Sequence, residues 1–210
     1  MYRDLLVCLI LAAGAAQAQT REIGVIGGGA VLPGIPIQGA PAGTSAGFEP
    51  GVAGGVLLGQ DLYSHWGGEI RYLFEQRDLL VSSGSQTASF TGQAHVIYYD
   101  LIYYTRPRKE RVRPYLAAGG GMKLFRGTGA EEAYRPLMQY AYLTRTRQLA
   151  PMLSVGGGVK WPIGTRMALR VECRDQITSF PNKLIAPAPG MTLKGWLNDF
   201  VPMVSLSWRL

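Results

Sequence analysis

The sequence predicts an all-β fold, an eight-stranded antiparallel up-and-down barrel that spans a membrane. From Phe200 to Leu210 the residues alternate, so that Val204, Leu206, Trp208 and Leu210 share one face of a strand. Glycine (28 residues) and tyrosine (11) are abundant, whereas charged residues make up only 17% of the chain. The apolar content is 47%, yet no long apolar run follows the N-terminal segment. This composition is typical of strands that alternate between a lipid-facing side and a polar interior.

The N-terminal segment has the features of a secretory signal. Arg3 precedes an apolar run from Leu5 to Ala13, and Ala16-Gln17-Ala18 has the A-x-A form of a signal-peptidase site. The run is about half the ~20 residues that a membrane-spanning helix needs. We therefore expect a cleaved signal peptide over residues 1–18 and one barrel domain over residues 19–210. Cys173 would then be the only cysteine of the exported domain, so no internal disulfide can form.

Three strands are predicted in the first part of the domain, over about residues 21–31, 48–60 and 65–77. The segment between the first two is rich in proline, glycine and alanine, which favours turns. The third strand alternates bulky apolar side chains with charged ones, namely Trp66, Ile70, Tyr72 and Phe74 against Glu69, Arg71, Glu75 and Arg77. Such an alternation indicates that one face of the strand contacts lipid.

A fourth strand is predicted over residues 88–104 and a fifth over 113–126. The tyrosines near the end of the fourth are typical of an interfacial aromatic girdle, although sheet propensity also favours tyrosine. Its alternation does not define which face Asp100 occupies. Three glycine patches, 27–29, 119–121 and 156–158, lie at similar strand positions and lack a helix start after them, which favours tight barrel packing over phosphate binding.

The last three predicted strands cover residues 148–161, 166–177 and 200–210. The seventh alternates most clearly, with Arg170, Glu172 and Arg174 on one face and apolar residues on the other. The connections alternate in length, being long after strands one, five and seven, intermediate after three, and short after two and six. The turn after the fourth strand is compact and basic, and we interpret it as a solvated turn.

In an antiparallel barrel, alternate connections share one end, and the longer ones lie outside the cell. The loops centred near Gly39, Ser83, Glu132 and Pro187 are therefore expected to be extracellular. Such glycine-rich and proline-rich segments are commonly mobile.

Eight strands, the signal ending in Ala16-Gln17-Ala18, the stretch from Arg113 to Gly121 and the terminal Val204-x-Leu206-x-Trp208-x-Leu210 pattern resemble a known family. It is the family of small outer-membrane β-barrels that includes the outer membrane protein A barrels and the opacity-type surface antigens. The resemblance covers nearly the whole exported chain and implies an outer-membrane location. Members usually end in an aromatic residue that the barrel assembly machinery reads, whereas this sequence ends in Leu210.

Charged residues are predicted to line the interior. They are Glu69, Arg71, Glu75, Arg77, Lys123, Lys160, Arg170, Glu172 and Arg174. An eight-stranded barrel is only wide enough for side chains to fill it, and charges in such a space must pair. We therefore predict a salt-bridged plug without an open pore; a gated conduit or proton path is the alternative. Because basic groups exceed acidic ones in this set, water or an unassigned carboxylate must complete the pairing.

No catalytic, cofactor or metal site is predicted. Acyl hydrolysis would need a serine activated by a histidine, and the resembling lipid A deacylases carry a serine two residues after the histidine. The two histidines, His65 and His95, have Gly67 and Ile97 at those positions. We expect His65 near a short turn and His95 on the interior face with Gln93. A lipid A-modifying enzyme thus remains the weaker alternative, and a soluble lipocalin-like barrel, with apolar side chains inside and charges outside, is another.

The predicted function is a non-enzymatic structural or surface-interaction role through the extracellular loops. The expected partners are outer-membrane lipids, lipopolysaccharide near Arg145 and Arg147, and the barrel assembly machinery, which would read Val204, Leu206, Trp208 and Leu210. A further surface partner is not identified by any motif. The net charge of +7 has no nucleic-acid motif beside it, so nucleic acid is not expected to bind, and the chain is expected to be a monomer.

Overall fold

The computed structural model describes residues 20–210, and the predicted signal peptide, residues 1–18, lies outside them. The strands are β1 (Arg21–Ala30), β2 (Ile35–Pro36), β3 (Thr44–Phe48), β4 (Gly51–Asp61), β5 (Trp66–Gln76), β6 (Leu79–Ser83), β7 (Gln86–Phe90), β8 (Gly92–Tyr104), β9 (Arg113–Gly127), β10 (Ala141–Leu143), β11 (Arg147–Ile163), β12 (Met167–Ser179), β13 (Ile185–Pro187) and β14 (Trp196–Arg209). Within this part of the chain, no helix is long and apolar enough to cross a membrane.

Eight of the strands form a closed antiparallel barrel, which confirms the predicted fold class. Their order around the barrel is β1, β14, β12, β11, β9, β8, β5 and β4. The first and last strands close the cylinder, with Ile23 opposite Trp208 and Val25 opposite Leu206. Closure leaves no unpaired strand edge, which is the condition for a sheet to sit in hydrocarbon.

The predicted strand boundaries agree with the barrel strands to within a few residues, with three exceptions. The fourth predicted strand starts at Ala88, which belongs to β7, whereas β8 starts at Gly92. The prediction started the last strand at Phe200, whereas β14 starts at Trp196. The second predicted strand began at Phe48, but that residue ends β3, and β4 begins after Pro50. Proline cannot donate a backbone hydrogen bond, so it separates the two strands.

Most of the bulky apolar side chains at alternating positions of the barrel strands point outward. Trp66 is 41% exposed, Val56 49% and Leu153 58%, whereas Arg71 and Arg170 are buried. A water-soluble barrel would bury the first group, because exposing contiguous apolar area to water is unfavourable. The orientation is therefore opposite to the one that the lipocalin-like alternative requires.

The connections of the barrel fall into two classes at opposite ends. Three short connections, residues 62–65, 105–112 and 164–166, lie at one end. We call this end of the barrel the mouth. Four long ones, residues 31–50, 77–91, 128–146 and 180–195, lie at the other and are here called the cap.

The cap is folded, in contrast to the mobile loops that its composition suggested. It contains a four-stranded sheet of β2, β3, β6 and β7 and a two-stranded sheet of β10 and β13. All four connections contribute to one hydrophobic cluster, which includes Phe48, Leu79, Leu137 and Leu184 and continues onto Phe125 of the barrel. The predicted hairpin around Ser82 to Gln86 is the turn between β6 and β7, with Gly84 at positive φ.

Candidate functional site

The interior of the barrel contains equal numbers of buried acidic and basic side chains among residues 20–210. The acidic ones are Glu22, Asp61, Glu69, Glu75, Asp100, Glu172 and Asp199, and the basic ones are Arg71, Arg77, Arg113, Lys123, Lys160, Arg170 and Arg174. An unpaired ion in such a site would carry a desolvation cost of several kcal/mol, on the order of the net stability of a small protein. A balanced set removes most of that cost.

Neighbouring strands make room for these side chains by placing glycine opposite them. Gly156 lies opposite Arg174 and Gly158 opposite Glu172 in the pairing of β11 with β12. A Cβ atom at Gly158 would lie 2.6 Å from the Cβ of Glu172. The glycine patches therefore allow close packing at inward positions, where the barrel is filled by long charged side chains.

The largest group, the central network, is a chain of eight residues that alternate in sign. Its members in order of contact are Lys160, Glu22, Arg170, Glu69, Arg71, Glu172, Arg174 and Asp100. Glu22, Glu69 and Glu172 each lie between two cations, and Asp100 ends the series. These contacts join β1, β5, β8, β11 and β12 across the barrel.

Arg71 is the central link of this network. Its Nη1 lies 2.6 Å from Glu172 Oε1 and its Nη2 lies 2.6 Å from Glu69 Oε2. The planar guanidinium contacts both carboxylates through separate edges, a geometry that lysine cannot reproduce. Glu172 also accepts a hydrogen bond from the Tyr115 hydroxyl at 2.7 Å, and the Ser207 hydroxyl donates to Glu22 at 3.1 Å.

A second group, the upper network, lies between the central network and the cap. Lys123 Nζ is 2.7 Å from both Glu75 Oε2 and Asp199 Oδ2, and it donates to Gln176 at 2.9 Å. Arg77 pairs with Asp199 as well. Two acids and two bases are thus combined directly beneath the hydrophobic cluster of the cap.

A third group lies at the mouth. Asp61 Oδ2 is 3.3 Å from Arg113 Nη1 and 3.3 Å from Arg108 Nε. The Arg113 guanidinium also stacks on Tyr104, 3.6 Å from the ring centroid. The three groups together occupy the barrel from one end to the other.

The structure places all nine charged residues singled out from the sequence inside the barrel or at its upper rim, and each takes part in an ion pair. They are Glu69, Arg71, Glu75, Arg77, Lys123, Lys160, Arg170, Glu172 and Arg174. Sequence reasoning missed four carboxylates, Glu22, Asp61, Asp100 and Asp199. They supply the negative charge that the predicted set lacked.

Two of the missed residues had a usable signal. Glu22 alternates with the outward Ile23 and Val25, so its face could have been assigned from the pattern of β1. Asp199 shares the alternating inward face of Val201 and Met203, but it precedes the predicted start of the last strand. For Asp100 both faces of β8 are apolar, and only the registered pairing with β5 and β9 defines its direction.

The prediction that His95 faces the interior is wrong. Its ring lies on the outer face of β8, where Nδ1 is 2.9 Å from the Tyr72 hydroxyl and the ring packs edge-on against Phe74. Side chains alternate between the two faces along β8, and because Val96 and Tyr98 point inward, His95 points outward. His65 Nδ1 is 3.0 Å from the adjacent Ser64 hydroxyl. In residues 20–210, neither histidine is hydrogen-bonded to a carboxylate.

The same part of the chain contains no group of three or more histidine, cysteine, aspartate or glutamate side chains that could hold a metal ion. Cys173 is a free cysteine on the outer face of β12. The terminal residues Val204, Trp208 and Leu210 are also exposed, whereas Leu206 is half-buried.

Comparison with known proteins indicates similarity in fold. No protein-family model and no curated protein sequence matches the chain. Neisserial surface protein A is similar with a TM-score of 0.61 at 12% identity, over 92% of this chain and 100% of that one. Outer membrane protein OprG from Pseudomonas aeruginosa has a TM-score of 0.58 at 15% identity, over 91% and 97%.

A major outer membrane protein from Thermus thermophilus matches with a TM-score of 0.52 at 14% identity, over 90% of this chain and 99% of that chain. At these identities the likeness concerns the fold rather than the activity. The chain has the fold of the small eight-stranded outer-membrane β-barrels.

Proposed function

We propose that the protein is a sealed, non-enzymatic barrel of the outer membrane that presents a folded cap at the cell surface. The observation that carries this proposal is the combination of an apolar outer wall with a charge-balanced, filled interior. The wall requires lipid, and the interior leaves the exposed cap as the part of the molecule that a partner could contact.

The interior argues against conduction. The central and upper networks are linked from strand to strand, and buried Leu57, Leu73 and Val201 fill the space beside them. Opening a path would separate buried ion pairs, which costs several kcal/mol for each pair. Purified protein in planar lipid bilayers should therefore show no stepwise conductance, and regular single-channel steps at moderate voltage would contradict the proposal.

The cap supports a surface role because it is ordered by its own core and still exposes aromatic side chains. Tyr134 is 79% exposed and Tyr142 38%, and aromatic residues are common anchors of protein contacts. The experiment compares cells that carry wild-type protein with cells that carry Tyr134→Ala and Tyr142→Ala, scored for surface adhesion and envelope integrity. If cells that lack the whole gene showed unchanged adhesion and unchanged envelope integrity, a role of the protein in adhesion or in the envelope would be contradicted.

Lipopolysaccharide is the proposed lipid partner. Arg126 lies opposite Arg147 in the pairing of β9 with β11, and both are exposed next to Arg145. They line a cavity of about 400 Å³ on the outer side of the barrel below the cap, which His95 also lines. Clustered guanidinium groups suit phosphate. Replacing the three arginines with glutamine should reduce lipopolysaccharide retained on purification, whereas Lys183→Gln with Lys194→Gln should not; equal retention would remove this proposal.

The terminal stripe is proposed as the signal for the barrel assembly machinery. Val204, Leu206 and Trp208 occupy alternate positions on the outer side of β14, and Leu210 follows directly after the strand. Leu210→Phe should speed the appearance of folded, heat-modifiable protein in cells, and Trp208→Ser should slow it. Identical rates for both variants would contradict recognition of this stripe. Because one chain closes the barrel by itself, we propose a monomer.

A further inference from the structure

The mouth of the barrel differs from the interior because its charges are not balanced. A cavity of about 400 Å³ lies there between the turn of residues 105–112 and the turn of 164–166. Its charged lining consists of Arg108, Lys109, Arg111, Arg113, Lys160 and Arg209, with Glu110 as the one acidic residue. Among the buried groups of the barrel, by contrast, acids and bases are equal in number.

Two of these cations give the turn its shape. Arg113 donates to the backbone carbonyls of Arg106 at 3.5 Å and Ser64 at 3.2 Å, besides its contact with Asp61. Arg108 donates to the carbonyl of Asp61 at 3.2 Å. The basic run, which the sequence suggested to be only a solvated turn, is thus anchored to neighbouring strands and lines one side of the cavity.

Of the remaining cations, Lys160 pairs with Glu22, whereas the other three face this cavity without acidic partners. Within residues 20–210, Lys109, Arg111 and Arg209 take part in no ion pair. Lys109 and Arg111 are exposed and Arg209 is half-buried. Like charges gathered around a concave site repel one another, and an anion bound between them relieves that repulsion and is attracted by the summed field.

We propose that the mouth binds a compact phosphate-bearing compound from the aqueous side that the short turns face. Phosphate oxygens accept hydrogen bonds from the planar guanidinium of arginine and from the compact ammonium group of lysine. The inward Arg113 and Lys160 place the cavity within the circle of strands, whereas lipid surrounds the outer wall. A soluble phosphate compound therefore reaches these cations more directly than a phospholipid headgroup does.

The test uses full-length protein folded in an amine-oxide detergent, which carries no phosphate, titrated with inorganic tripolyphosphate by calorimetry. Lys109→Gln with Arg111→Gln should weaken binding at least ~10-fold, because two unpaired cations of the site are removed. Lys183→Gln with Lys194→Gln removes the same charge from the cap end and should change the affinity less than ~2-fold. Heat-modifiable mobility on gels reports that each variant is folded.

Three results would overturn the proposal. One is the absence of saturable tripolyphosphate binding to folded wild-type protein, and another is an equal loss in the two double variants. The third distinguishes the source of the phosphate: wild-type protein purified from mixed micelles would retain phosphatidylglycerol in fixed ratio, and the Lys109 and Arg111 variant would not. In that event the site belongs to a membrane lipid.

Arg209→Gln, on a different strand, should reproduce the loss of tripolyphosphate binding.

Discussion

Glycine positions in the strands separate into two groups according to the direction that a side chain would take. Gly158 points inward, where a Cβ would lie 2.5 Å from the carbonyl oxygen of Val171 and 2.6 Å from the Cβ of Glu172. Gly27 points outward on β1, and a Cβ there meets no heavy atom within 4 Å. The two glycines share a residue type and a strand setting, and they differ in the space around them.

This difference predicts opposite outcomes for one substitution. Gly158→Ala should lower the free energy of unfolding by about 1–3 kcal/mol, because the added methyl group displaces the backbone or the Glu172 side chain. Gly27→Ala should change it by less than about 0.5 kcal/mol. The measurement is the urea unfolding equilibrium of both variants in phospholipid vesicles. Equal losses would show that strand glycines matter here for backbone flexibility rather than for space.

At the residue scale, the sequence was informative where apolar and charged residues alternate. β5 and β12 have a clear polar face, and the inward direction of Arg71 and Glu172 follows from that pattern. β8 carries apolar residues on both faces, because its inward Val96 and Tyr98 pack in an interior that is not uniformly polar. Local periodicity could not orient Asp100 or His95, since only strand pairing distinguishes the two faces.

At the scale of strands, the central network connects elements that are not adjacent in the barrel. Arg71 of β5 contacts Glu172 of β12, and these strands are not neighbours in the sheet. Backbone hydrogen bonds join only neighbouring strands, so the ion pairs stabilise the barrel across its interior. Replacement of Arg71 leaves Glu69 and Glu172 with fewer cationic partners, because each loses its contact with the guanidinium.

We expect Arg71→Met to lower the free energy of unfolding by about 3–5 kcal/mol, because it removes one partner of a buried network. Adding Glu172→Gln to that variant should recover part of the loss, since the charges of the network are then nearer to balance. The pair of half-buried Arg135 and exposed Glu132, 3.6 Å apart, is the control: Glu132→Gln should cost less than about 1 kcal/mol. A loss for Arg71→Met no larger than the control loss would show that the network is not structurally important.

The cap shows where sequence reasoning at the element scale reached its limit. β2, β10 and β13 contain two or three residues each, too few for a periodic signal. Their order depends on contacts between connections that are distant in sequence, such as Leu79 and Leu184 in one hydrophobic cluster. Composition suggested turns and mobility, whereas the burial of side chains from all four connections produces a folded unit.

At the scale of the whole molecule, the balanced interior determines where the net charge lies. With equal numbers of buried acids and bases, the excess of +7 lies on the exposed surfaces. Arg21, Arg106, Lys109, Arg111 and Arg166 are exposed at the mouth end. The excess charge is divided between both ends, because the cap end exposes two acidic residues, Glu131 and Glu132, beside five basic ones, Arg126, Arg145, Arg147, Lys183 and Lys194.

The apolar wall leads to a prediction that depends on depth in the membrane. Val56 lies midway along β4 and Val52 near its cap end, and both point outward, with exposures of 49% and 68%. In a bilayer, Val56→Lys should lower the free energy of unfolding by about 2–4 kcal/mol, and Val52→Lys by about 0–1 kcal/mol. The difference arises because the lysine at Val52 can place its ammonium group at the interface.

The measurement is the urea-dependent equilibrium between folded and unfolded protein in phospholipid vesicles, followed by tryptophan fluorescence. If water surrounded the barrel, both substitutions should have near-neutral effects on the free energy of unfolding, because each side chain points away from the barrel and contacts no packed core. A cost that rises toward the middle of β4 therefore reports hydrocarbon outside the wall. Equal and small costs, together with a variant that stays soluble without detergent or lipid, would show that water surrounds the barrel and would contradict the membrane assignment.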